Sequence, residues 1–426
     1  MKQNTRKVAI VGGSRIPFCR SHTKYKSASN QDMLTAALAG LVNRFELQGE
    51  TLGDVASGAV LKHSKDWNLA RESVLGSGLG AATPAFDLQR ACGTSLEAAI
   101  LIGNKIAVGQ IDSGIAAGAD TVSDAPIVYP KEYRSVLMNV FRARSMADKL
   151  KAILGFRPSH LKPEAPGVNE PRTGLSMGES TEQMAREWNI SREEQDALAL
   201  TSHTNAAAAY DSGFFSDLVV PFRGVSIDNN LRRDSSMESL GKLRPAFDRT
   251  SGHGTLTAGN STPLTDGAAA LLLCSQEWAD ARGHDVQAYL THGQVAAIDF
   301  VESEGLLMAP AYAVSEMLEK ANLTLQDFDF YEIHEAFAAQ VLCTLRAWES
   351  ESFCRDRLGR TEAMGAIDRD KLNVNGSSLA VGHPFAATGA RILAHTAKLL
   401  EQKGSGRALI SICTAGGMGV TAIVER

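Results

Sequence analysis

The chain has 426 residues, of which 44% are apolar and 21% charged, with a formal charge of −5. This length supports an extensive core divided into two or three domains, and the mild acidity argues against nucleic acid as a partner. No apolar run reaches the roughly 20 residues that cross a bilayer. Six cysteines, at 19, 92, 274, 343, 354 and 413, have neither metal-type spacing nor the density of a disulfide scaffold; free thiols in a reducing cytoplasm are expected.

Taken in chain order, the apolar part of MKQNTRKVAIVGG is too short for a secretory signal, and residues 7–11 are predicted as a first strand. Residues 31–45 carry Leu34, Leu38, Leu41 and Phe45 at helical spacing. An extended segment is expected at 85–89, a buried Ala- and Ile-rich helix at 93–108, and a small-residue buried strand at 113–119. From about 128 to 253, strand patterns thin out and Pro, Arg, Ser and Asp increase. Within this stretch Ser191, with Glu194 three positions on and Gly213 beyond the end, predicts a capped helix. A large, mostly helical insertion is expected here. Strand patterning returns at 265–274 and continues to the end, through a strand at 408–412.

The parts flanking the insertion have one grammar. In each, an extended segment enters a Gly-containing turn that bears a reactive side chain, and a long helix and a buried strand follow. Cys92 holds that place in the first part and His383 in the second. The pattern predicts a duplicated α/β unit with both turns facing one cleft.

Cys92, in ACGTSLEAA, stands just before a predicted helix, where free N–H groups and the dipole stabilise a thiolate and can receive an oxyanion. His383, in Gly-His-Pro, is placed to take a thiol proton, with Pro384 expected at the first helical position. Cys413 precedes Ala415-Gly416-Gly417-Met418-Gly419, where a substrate can pass close to the backbone and a thiol can shuttle a proton. His334 lies where a strand hands over to a helix, suited to donate to an enolate or thioester oxygen. Its neighbour Glu335 is either a helix-dipole partner or a holder of water. Each residue alone also has a plain structural reading, as a small buried hydrophobe or an end-capping group. Cys19, Cys274, Cys343 and Cys354 lack a Gly- or His-rich context and are assigned to packing.

Residues 131–162 stand apart in an acidic chain: eight basic residues against Glu132 and Asp148 make a local charge of +6. Leu137, Phe141, Ala147, Leu150 and Leu154 make the segment partly amphipathic. Contact with an anionic membrane surface, docking of a partner subunit, guidance of a substrate's phosphates and a merely solvated helix are all open readings.

Together these motifs resemble the thiolase family. The resemblance spans the chain from Arg15-Ile16-Pro17-Phe18 onward. It is carried by Cys92, by residues 258–269, by Asn373-Val374-Asn375-Gly376 through Gly382-His383-Pro384, and by Cys413 with its Gly-rich turn. His334-Glu335-Ala336-Phe337, residues 242–248 and the Phe-Ala-Ala after Pro384 are most similar to the 3-ketoacyl-CoA thiolase (beta) subunit of fatty-acid β-oxidation multienzyme complexes. Ala415, in place of a common glycine, and Thr94-Ser95, in place of Ser-Gly, depart from the family pattern.

The resemblance implies a five-layered αβαβα fold of two similar halves. The first is 1–127, completed by 254–276; a loop domain at 128–253 lies over the coenzyme A site; the second half is 277–426. It implies cleavage of 3-oxoacyl-CoA by coenzyme A, with Cys92 as nucleophile, His383 as proton acceptor, Cys413 as proton donor and acceptor, and His334 in the oxyanion hole. A condensing acetoacetyl-CoA thiolase and a non-catalytic CoA- or lipid-binding relative are the alternatives. Met177, Thr262, Phe337 and Ala415 are implied at the substrate. No metal or resident cofactor is expected, since coenzyme A is a substrate. A dimer or tetramer and association with a hydratase/dehydrogenase subunit are implied partners.

Overall fold

The computed structural model describes residues 5–164, 166–167 and 169–426. Its strands are β1 (Val8–Arg15), β2 (Cys19–Arg20), β3 (Asp54–Ser57), β4 (Ala85–Asp87), β5 (Ser113–Asp120), β6 (Thr265–Ser275), β7 (Ala288–Ala297), β8 (Phe330–Ile333), β9 (Arg407–Thr414) and β10 (Met418–Glu425). The helices are α1 (Asn30–Arg44), α2 (Leu69–Gly76), α3 (Thr94–Ala107), α4 (Lys131–Arg142), α5 (Met146–Ile153), α6 (Met177–Glu187), α7 (Arg192–Asp211), α8 (Met237–Gly241), α9 (Gln276–Arg282), α10 (Ala309–Ala321), α11 (Ala338–Glu349), α12 (Glu351–Asp356), α13 (Ser378–Val381) and α14 (Thr388–Lys403).

The strands run in the order β4-β3-β5-β6-β1-β7-β10-β9-β8, with β2 against β6. The duplication lies in this order. In the first half β1, β6 and β5 pair antiparallel and β5 pairs parallel with β3. In the second, β7, β10 and β9 pair antiparallel and β9 pairs parallel with β8. A short seam, Ala9 with Tyr289 and Ile10 with Ala288, joins the halves.

Residue alternation explains the layers. Val8 and Ile10 enter the same core as Leu271, Leu273, Ile410, Ile412, Val420 and Ala422. Ala9 and Val11 enter a second core with Leu272 and Cys274, while Leu409, Cys413 and Ile423 enter a third. A period of two along strands buried on both faces places three apolar layers around two sheet halves. Helices α3 and α14 pack on each other and on strands of both halves, and so form the middle layer. Helix α1 covers the outer face of the first half and α10 that of the second. The result is the expected αβαβα stack.

Between β5 and β6 the regular structure of the described residues is helical, α4 to α8 with long irregular connections. Helix α7 starts where the sequence signals it: Ser191 and Glu194 form a capping box, and the helix ends before Gly213, which takes φ 75°. Expectation and structure differ at Pro384. It precedes a single 3₁₀ turn, Phe385–Ala387, and α14 begins only at Thr388. The Ala386 N–H donates to Asp120 Oδ2 at 2.8 Å, which ties this turn to the end of β5.

Candidate active site

Cys92 stands on a tight turn between β4 and α3. Ala91 takes φ 43°, unusual for a residue with a side chain. Thr94 Oγ1 holds the turn: it accepts from Arg90 N–H at 2.9 Å and donates to Ala91 O at 2.7 Å. Its neighbour Ser95 accepts the Ala390 N–H at 2.8 Å, which binds the first turn of α3 to that of α14. The two departures from the family pattern thus build the site's frame.

His383 is the counterpart of Cys92 at the approach to α14. Its N–H donates to Thr265 Oγ1 at 3.1 Å, and its Nδ1 lies 2.6 Å from Thr388 Oγ1. His334 follows β8 and its N–H donates to Ser411 O at 2.8 Å. Its Nδ1 lies 2.8 Å from Ser378 Oγ. The two imidazole centroids are 4.1 Å apart. Both Nε2 atoms are buried without a hydrogen-bond partner among the described residues. The sulfur of Cys92 and a ring nitrogen of each histidine lie within 4.8 Å of one another. Residues separated by 242 and 49 positions in sequence (92 to 334, and 334 to 383) therefore meet at one point.

Cys413, at the end of β9, is buried beside Cys92, close enough that charge on one thiol raises the pKa of the other. The turn after it presents the Ala415 N–H to the Cys92 sulfur. Gly416 and Gly417 take φ 77° and 67°, which glycine adopts without a Cβ clash. The Gly416 N–H donates to Glu170 Oε1 at 2.8 Å, so the insertion holds this turn from outside.

Burial dominates the electrostatics. It pushes the Cys92 thiol up to about 12, despite the Ala415 N–H that favours the thiolate. Burial, then the charge of Arg391, pushes His383 down to about 3. His334 is likewise held well below the usual histidine value by burial, His383 and Arg391. At neutral pH the resting site is therefore a thiol facing two neutral imidazoles. A thiol and two imidazoles are also donor types for zinc. The N–H aimed at the sulfur and the adjoining start of α3 are instead parts for stabilising negative charge on an acyl group.

Phe337 is buried in the same apolar cluster as Cys413, and Met177, the first residue of α6, packs against that cluster. Thr262 is tied to the loop before α11, its N–H and Oγ1 donating to Ala336 O at 3.1 and 3.0 Å. Glu335 lies before Phe337, the N-cap of α11, and its hydrogen bonds go elsewhere than to that helix. Its carboxylate accepts from Ser202 Oγ, Asn373 Nδ2 and Leu379 N–H at 2.7, 2.7 and 3.1 Å. It clamps α7, the Asn373 turn and α13 together behind His334. The other four cysteines are free and buried, as expected of packing residues.

Thr265, Thr388, Ser378, Arg391 and Glu170 escaped the sequence reading. Thr388 and Arg391 lie within eight residues of His383, but nothing linear says which side chain each one holds. Glu170 belongs to a stretch without a motif.

The Thiolase, N-terminal domain family matches residues 8–277, and the Thiolase, C-terminal domain family matches 285–426. A 3-ketoacyl-CoA thiolase of Yersinia pestis (strain Pestoides F) is 42% identical over 425 residues, 98% of this chain and 97% of that protein. Among solved structures, the Bacillus anthracis acetyl-CoA acetyltransferase superposes with a TM-score of 0.82 at 29% identity, covering 100% of both chains. Human mitochondrial 3-ketoacyl-CoA thiolase gives 0.81 at 28% identity over 99% of each chain. Matched in order across both halves, and on the fold that its solved relatives share, this chain belongs to the thiolase family.

Proposed function

We propose that the chain is a 3-ketoacyl-CoA thiolase, cleaving a 3-oxoacyl-CoA with coenzyme A into acetyl-CoA and a shortened acyl-CoA in fatty-acid degradation. The observation that carries this reading is the meeting of Cys92, His334 and His383 within 4.8 Å, with Cys413 beside them. The higher identity to the Yersinia relative favours the degradative branch over an acetoacetyl-CoA thiolase working in the condensing direction.

His383 Nε2 takes the Cys92 proton as the sulfur attacks the keto carbon. The C2–C3 bond then breaks and its electron pair moves into an acetyl-CoA enolate. His334 donates to the enolate oxygen, and Cys413 gives its proton to C2. The acyl group remains on Cys92 as a thioester, its oxygen facing the N–H groups of Cys92 and Ala415. The Cys413 thiolate next takes the proton of an incoming coenzyme A thiol, whose sulfur attacks the thioester. Cys92 leaves as thiolate and recovers its proton from His383. Covalent catalysis divides one hard cleavage into two transfers and predicts ping-pong kinetics. Purified protein should cleave 3-oxoacyl-CoA substrates of short, medium and long chain only when free coenzyme A is present. Activity retained in Cys92→Ala would defeat this mechanism.

The basic insertion has its own reading. No residue of α4 or α5 is buried. Phe141 is 84% exposed and Leu154 85%, beside exposed Met146 and Leu150, on the segment with a charge of +6. Exposed apolar groups among cationic ones suit an anionic lipid surface. No described helix is long and apolar enough to cross a membrane, so contact would be peripheral. The protein should sediment with vesicles containing phosphatidylglycerol and not with phosphatidylcholine alone, and replacing Phe141, Leu150 and Leu154 by Ser should abolish this. Absence of vesicle binding, with retention of a partner protein, would assign the surface to a subunit instead.

A further inference from the structure

We propose that Ser378 and Arg391 act as positioning residues that fix the tautomer of His334, placing its proton on Nε2, the ring nitrogen without a hydrogen-bond partner among the described residues. The inference rests on reading His334 as the donor to the substrate oxygen, but the tautomer itself is measurable without that reading.

The hydroxyl of Ser378 has two partners. Its oxygen accepts from Arg391 Nη2 at 2.9 Å, and it lies 2.8 Å from His334 Nδ1. A guanidinium only donates, so Ser378 must accept on that side. Its single proton then has one acceptor among its described partners, the lone pair of His334 Nδ1. The opposite tautomer would present Ser378 with two donors and strand its own O–H in a fully buried site. The penalty for a buried unsatisfied donor corresponds to a bias of about tenfold or more. With Nδ1 acting as acceptor, the proton of the neutral ring resides on Nε2.

Arg391 is itself set for this task. It starts in the first turn of α14 and is buried, and its Nη atoms also reach Ser377 Oγ at 3.3 and 3.4 Å. Burial lowers its pKa to about 10, still well above neutrality, and nearby acidic groups, Glu335 among them, oppose that loss of charge. It thus offers Ser378 a donor that does not change role near neutral pH.

His383 is wired differently. Its Nδ1 partner, Thr388 Oγ1, has no guanidinium behind it among the described residues and can either donate or accept. That freedom fits a ring that must gain and lose a proton. Two imidazoles 4.1 Å apart therefore present unlike faces to Cys92: a committed donor from His334, and from His383 a nitrogen free to accept.

The test is a long-range proton–nitrogen NMR spectrum of the whole protein labelled with ¹⁵N-histidine near neutral pH. His334 signals are assigned by their loss in His334→Gln. The expected result is Nε2 in the protonated range and Nδ1 in the unprotonated range. In Ser378→Ala the two shifts should move toward each other, and kcat should fall about tenfold or more with KM within about twofold. Ser378→Thr, which keeps the hydroxyl, should restore both. A wild-type spectrum with Nδ1 protonated, or shifts unmoved in Ser378→Ala, would overturn the proposal. If the shifts behave as expected but kcat is unchanged in both Ser378→Ala and His334→Gln, the wiring stands and the oxyanion reading of His334 fails.

Discussion

Gly389, in the first turn of α14, lies directly against the backbone nitrogen of Leu96 in the first turn of α3, with no room between them for a Cβ atom. The two helices that follow Cys92 and His383 are thereby brought together at the ends that bear the chemistry. A side chain here would separate both. Gly389→Ala is expected to destabilise the fold by about 1–3 kcal/mol and to lower kcat, since a small displacement of reacting groups is costly. Urea unfolding and steady-state kinetics check this; a variant with wild-type midpoint and kcat would refute the close approach.

The resting thiol yields a pH prediction. Burial raises Cys92 to about 12, so the thiolate fraction still increases above the value of about 8.5 at which a free cysteine is half ionised. Inactivation by iodoacetamide should therefore keep rising with pH through that point. On the acid side, His383 at about 3 remains a neutral base well below its usual range. Loss of activity between about pH 7 and 5 should not track its protonation. A rate of alkylation that levels off near pH 8.5 would contradict the assigned environment.

In the proposed mechanism His334 serves the enolate, whereas Ala415 and Cys92 N–H groups serve the thioester. His334→Ala should therefore reduce thiolysis of a 3-oxoacyl-CoA by about 10²–10³-fold. Exchange of labelled coenzyme A into acetyl-CoA needs no carbon–carbon cleavage and should fall far less. Equal losses in both assays would show that the two oxygens share one set of donors.

Behind the site, Glu332 is buried with neither carboxylate oxygen hydrogen-bonded among the described residues. Burial raises it to about 8 from 4.5, with the charge of Arg391 opposing the rise and that of Glu335 adding to it. Between these values the folded chain keeps a proton that the unfolded chain has released, so stability falls as pH rises through this window. Glu332→Gln removes the titration. Its unfolding midpoint should improve relative to wild type from about pH 5 to about pH 9. A constant difference across that range would show that Glu332 is ionised in the folded protein throughout.

Much of the fold was legible because it rests on local rules. The apolar strand runs within 265–274 and 408–412, the helical spacing of 31–45 and the Ser191–Glu194 cap each act within a few residues. Pro384 misled because a proline suits several starts, and the competing claim of Asp120 on the Ala386 N–H comes from a residue 266 positions away. The clamp made by Glu335 was hidden for the same reason: its three donors come from α7, Asn373 and α13, none adjacent to it in sequence.

By itself the sequence determined which groups are the candidates for the chemistry, Cys92, His334, His383 and Cys413, and the glycine turns that carry them, because nucleophile, base and turn chemistry reside in residue types and short spacings. Only the tertiary structure decided that the two halves pair edge to edge, that α3 and α14 meet at Gly389, and that one imidazole is held by Ser378 and Arg391 while the other is held by Thr388. Those relations depend on distances of a few ångströms between side chains remote in sequence. Burial of these groups together, which sets their pKa values and their hydrogen-bond partners, arises only when the layers close.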